Sequence, residues 1–77
     1  MTLNDLREGQ KARIVSLSAL SPHLVQKFLD LGIMDGVEVT MVHRAPLGDP
    51  IWLELKGYQI TFRNDIAANI EVEVIGK

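Results

Sequence analysis

Two histidines, His23 and His43, with scattered carboxylates and serines, are the groups in this sequence that could do chemistry. A metal centre would need a second strong ligand at helical or strand spacing from one imidazole, and neither has one. Asp30, Asp35 and Glu38 could join either histidine only in a weak, oxygen-rich site for a divalent transition metal. His23 reads as a solvated side chain, and His43 as a histidine at a barrel rim, on the inward face of a strand end. Ser16, Ser18 and Ser21 have no neighbouring base to activate them, and the glycines follow no phosphate-loop pattern. The absence of cysteine excludes disulfides, thiolate zinc sites and cysteine nucleophiles. The expectation is a protein that is not an enzyme and has no resident cofactor.

A different feature points to binding. "RAPLGDPIW", Arg44 to Trp52, carries two prolines and a glycine and must be a loop, yet it holds Leu47 near its tip and ends in the only tryptophan. Trp52 has two readings. It closes the barrel by covering the loop or packing under a helix, or it joins Leu47 and Met34 in an apolar patch that docks a partner through an aromatic anchor.

These residues need a scaffold, and 77 residues make one domain, taken as 1–77. A chain so short buries only roughly 60% of its unfolded surface. Without disulfides the core must be aliphatic, for which 47% hydrophobic residues suffice. The net charge of −2 and the scattered lysines and arginines argue against nucleic acid, which selects a basic stripe. No apolar run approaches the roughly 18 residues of a membrane span, and charged residues interrupt the first twenty positions, so neither membrane insertion nor a signal peptide is expected. Cytoplasmic residence is the default.

The pattern predicts one helix over about 21–32, with Ser21 as N-cap, Pro22 in the first turn and Gly32 at the end. Leu24, Val25, Phe28, Leu29 and Leu31 form an apolar stripe about 160° wide, broad enough to leave one edge exposed. The rest reads as five short strands. Lys11–Ala19 alternates imperfectly, as a bulged strand would. In 37–44, Val37, Val39, Met41 and His43 share the inward face. In 51–56 the inward residues are Ile51, Leu53 and Leu55; in 58–63, Tyr58, Ile60 and Phe62; and in the last strand, Ile70, Val72 and Val74. A tight turn falls at Lys56-Gly57, and "NDIAAN" makes a short helical turn opened by a capping residue. Matching inward faces pairs Met41 with Leu53 and lines up Val42, Trp52 and Thr61 on the outside. This row could also self-associate to a homodimer. Five strands in so short a chain make a small bent barrel, SH3-like or OB-like.

The stretch "FLDLGIMDGVEVTMVHRAPLGDPIWLEL…ITFRNDIAANIEV" resembles the FeoA family, small bacterial proteins of ferrous iron uptake. The resemblance is carried by Leu31-Gly32-Ile33, Gly36, Ala45 to Ile51, Phe62-Arg63, Ala67 and Val72 to Val74, and runs from about Leu6 to Val74. Lys27-Phe28 stands where the family often has Arg-Leu, and Phe62 where Leu is usual; charge or apolarity is kept. The resemblance implies a mainly β, SH3-like five-stranded barrel with one inserted helix. It also implies an accessory role beside FeoB, a membrane iron transporter with a cytoplasmic GTP-binding domain, through protein–protein interaction. A metal-binding module that senses or carries Fe2+ or Zn2+ is the alternative. On this reading Leu47, Pro46, Trp52, Met34 and the helix edge at Leu24 form the docking surface, with a loop stiffened by Pro46 and Pro50.

Overall fold

The computed structural model describes residues 1–76. After a 3-10 turn at Leu3–Asp5 come β1 (Lys11–Ser16), α1 (Pro22–Asp30), β2 (Glu38–Arg44), β3 (Ile51–Leu55), β4 (Tyr58–Phe62), α2 (Asn64–Ala67) and β5 (Glu71–Gly76). All strand pairs are antiparallel, in the order β4-β3-β2-β1-β5. This is the expected mainly β, SH3-like arrangement with the helix inserted between β1 and β2. The sheet bends around one core made of Leu3, Ala12, Ile14, Val39, Met41, Ile51, Leu53, Ile70 and Val72 with their neighbours; among the described residues no polar side chain is buried in it.

The hairpin signals act as their chemistry dictates. Lys56 and Gly57 both have positive φ, which makes the two-residue turn whose twist matches the flanking strands. β3 and β4 then pair from Leu55 opposite Tyr58 to Ile51 opposite Phe62, with Trp52 opposite Thr61, in the anticipated register. Helix α1 begins where Ser21 Oγ accepts a hydrogen bond from the Leu24 amide. It ends with Gly32 at φ +82, whose amide donates to the Leu29 carbonyl while the Ile33 amide donates to that of Phe28. These two bonds satisfy carbonyls that the helix end would leave unpaired. α1 is anchored by Phe28, buried edge-on against Phe62 with ring centroids 5.2 Å apart. The hydroxyl of Tyr58 donates to the Leu31 carbonyl at 2.6 Å.

Two bulges decide which side chains reach the core. In β1, Ile14 opposes Val72 and Ser16 opposes Glu71, so Val15 is the extra residue. That turns Val15 outward and returns Leu17 to the interior, which explains the imperfect alternation. In β2, Met41 opposes Leu53 as expected, but His43, not Val42, opposes Trp52. The second bulge corrects the expected inward position of His43: the shift moves it to the outer face and exposes it. Tyr58 and Val74 were also expected inward. Tyr58 sits at the hairpin turn and leans over the end of α1, while Val74 lies on an edge strand with 41% of its surface exposed. The turn at 64–67 forms, but its N-cap is Arg63 rather than Asn64.

Candidate partner-docking site

The β2–β3 loop is a built structure. Gly48 N donates to Ala45 O at 2.7 Å, closing a four-residue turn with Pro46 and Leu47 in the middle, and Ala45 N donates to Pro50 O at 3.1 Å. Pro46 fixes φ at the second position, and Gly48, at φ +91, takes a backbone conformation that side chains resist. The Asp49–Pro50 peptide is cis. Leu47 stands at the tip with 98% of its surface exposed. A leucine so placed contributes nothing to the core.

Three side chains tie this loop down. Arg44, half-buried at the end of β2, donates from Nη1 to Gly48 O at 3.1 Å and to Asn4 Oδ1 at 3.2 Å, and from Nη2 to Asn4 O at 2.8 Å. Asn64 Nδ2 donates to the same Gly48 carbonyl at 2.8 Å, while Asn64 Oδ1 is buried without a partner among the described residues. An unpaired buried acceptor costs about 1–3 kcal/mol, which the rest of the clamp must offset. Asp49 Oδ1 accepts the Asn64 amide at 2.9 Å and so caps α2 in the absence of a capping side chain on Arg63. Sequence reading missed Arg44 and Asn64. It set Arg44 on the outer face by strict alternation, and the bulge that overturns alternation leaves no mark in the sequence.

Trp52 is half-buried and lies outside the core, on the outer face of the sheet. Its ring centroid is 5.3 Å from that of His43, tilted by 50°. His43 Nδ1 lies 3.4 Å from Glu8 Oε2, which also accepts the Arg44 amide at 3.0 Å. Leu47, Pro46 and Trp52 thus belong to one end of the sheet. Met34 belongs to the other, because β2, seven residues and roughly 20 Å long, separates them. Met34 lines an open, largely apolar groove of about 410 Å³ with Leu17, Val25 and Leu29, rimmed by Ser16, Ser18 and Asp35. The exposed edge of the helix is Leu29 and Leu31; Leu24 is half-buried and packs against the core.

The metal candidates do not converge. His23 is exposed on α1, Asp30 accepts from Gln26, and Glu38 pairs with Arg13. Among the described residues no group of three or more histidines and carboxylates is close enough to hold a metal ion. The described helices are also too short and polar to cross a membrane.

A bent five-stranded antiparallel sheet with an inserted helix and a clamped apolar loop defines a small SH3-like barrel. The FeoA domain model matches residues 1–74, and the chain belongs to the FeoA family. It is 35% identical over 75 residues to a Fe(2+) transport protein A/Fe(2+) transporter FeoB fusion protein of Porphyromonas gingivalis; the match takes in 97% of this chain and 9% of the fusion protein. The FeoA protein of Chlorobium tepidum has the same fold with a TM-score of 0.91 at 33% identity, covering 99% of this chain and 71% of that one. The FeoA of Stenotrophomonas maltophilia, an SH3 domain protein complexed with zinc, superposes with a TM-score of 0.80 at 26% identity over 95% of this chain and 89% of that one.

Proposed function

We propose that this protein is a cytoplasmic accessory factor of ferrous iron uptake that acts by docking, through the Leu47 loop and Trp52, onto a FeoB-like membrane GTPase transporter. The observation that carries the reading is Leu47, a fully exposed leucine on a loop held by its own turn, Arg44 and Asn64. A rigid apolar tip loses little conformational freedom on binding, and that is what makes a single leucine an effective anchor. The fusion protein of Porphyromonas gingivalis supports the choice of partner, because joining two modules in one chain holds them at high effective concentration. Met34, with Leu24 beside the core, would extend a surface only if the partner spans the sheet.

Calorimetric titration of the cytoplasmic region of a FeoB-like partner, with and without a GTP analogue, tests this. Burying one leucine is worth about 1.5–3 kcal/mol, so Leu47→Asp is expected to weaken binding by about 10- to 150-fold or more. Equal affinity of variant and wild type would refute the loop as the docking element. A second reading, a metal-sensing or metal-carrying module, has the zinc-complexed Stenotrophomonas maltophilia relative and the His43–Glu8 pair in its favour. Stoichiometric anaerobic Fe(II) binding that is lost in a His23→Ala/His43→Ala double variant would support it.

A further inference from the structure

We infer that Arg44 is the positioning residue of the docking loop and that it makes the loop answer to the N-terminal turn. The inference deepens the docking reading and rests on it for its functional meaning.

Gly48 closes the turn behind the tip, and two donors from different parts of the chain converge on its carbonyl, Arg44 Nη1 at 3.1 Å and Asn64 Nδ2 at 2.8 Å. Asn64 belongs to α2, close by. Arg44 reaches in the opposite direction as well, to Asn4 Oδ1 and Asn4 O in the 3-10 turn, forty residues earlier. The turn is itself fixed. Asp5 Oδ2 accepts the Thr2 amide at 2.9 Å, and the Leu3 amide donates to Ile70 O at 3.0 Å beside β5. The base of Arg44 is held too, since its amide donates to Glu8 Oε2. A planar guanidinium with five donors can serve a loop carbonyl and a turn together; an ammonium on a flexible stem cannot hold that geometry. The guanidinium also donates, at 3.5 Å, to the Leu6 carbonyl just past the turn, and none of its bonds belongs to the β2–β3 ladder. Any partner or chain segment that moves Asn4 therefore takes away the anchor of the Arg44 guanidinium and loosens the loop at Gly48, leaving Asn64 Nδ2 as the side-chain donor that still holds its carbonyl.

The experiment needs no partner for its first readout. Backbone 15N relaxation on the free protein is expected to give Leu47 and Gly48 the order of rigid backbone, about 0.85, in the wild type and below about 0.6 in Arg44→Lys. Strand amides should be unchanged. Arg13→Lys, which alters an arginine paired with Glu73 and Glu38 on the outer sheet, is the control and is expected to leave the loop rigid. If Arg44→Lys does not fold, Asn4→Ala carries the same test, because it removes one acceptor and leaves the arginine in place. Partner affinity should fall about tenfold in Arg44→Lys, as the loop must then be ordered on binding. A loop as rigid in the variants as in the wild type overturns the inference. A loosened loop together with full partner affinity for Leu47→Asp would uphold the positioning role and refute the docking reading.

Discussion

Leu47 and Leu53 are the same side chain six residues apart, one 98% exposed and the other fully buried, and truncating each should have opposite consequences. Leu53 lies mid-strand in β3, opposite Met41 on one side and Ile60 on the other, where packed neighbours relax only partly into the space it leaves. Leu53→Ala should cost about 2–5 kcal/mol, the lost transfer energy plus the cavity. A domain of this size has only about 4–12 kcal/mol to lose. Its melting temperature moves by about 4–8 °C for each kcal/mol, so the midpoint should drop by at least about 8 °C. Leu47→Ala removes the same atoms from water rather than from a core, and stability should move by less than about 0.5 kcal/mol. Urea unfolding followed by Trp52 fluorescence measures both, with the midpoint as the readout and the slope as the check that the unfolded state is unchanged. A Leu47→Ala variant destabilised by more than about 1 kcal/mol would mean that the tip packs against the protein in solution, and the case for a free docking tip would fail.

Phe28→Ala should detach α1. The helix has nine residues, too few to persist alone, and Phe28 is its only fully buried side chain; a loss of about 3–5 kcal/mol is expected by denaturant titration, with helical circular dichroism falling along with it. Tyr58→Phe removes the hydrogen bond to the Leu31 carbonyl at a solvent-exposed site. The expected cost is small, about 0.5–1 kcal/mol, and amide exchange at Gly32 and Ile33 should quicken while the β3–β4 strands keep their protection.

Much of this architecture is written locally in the chain. Ser21-Pro22 and Gly32 bound the helix, Lys56-Gly57 sets the hairpin, and the alternation of Ile51, Leu53 and Leu55 chooses the buried face, because each depends on residues within a turn or two of itself. The position of His43 was not legible. A bulge at Val42 answers to the pairing partner, β3, and no residue type announces it. For the same reason Arg44 looked like an outward strand residue, whereas its role is set by Asn4 and Gly48, one forty residues away and the other across a loop. Leu47 was legible as an anomaly, a leucine among turn residues, and its exposure is what the anomaly meant. Grouping it with Met34 and Leu24 overreached, since composition marks apolar residues as sticky without saying which end of a strand they occupy.

The most direct test of docking is a map of the contact. With 15N-labelled protein and the cytoplasmic region of a FeoB-like partner added to excess, resonances of residues 45–48, the Trp52 amide and indole, and His43 should shift or broaden together, and the loss of those changes in Leu47→Asp should be complete. Shifts confined to the groove at Leu17, Val25, Leu29 and Met34, or no shifts at concentrations approaching a millimolar, would contradict docking through the Leu47 loop.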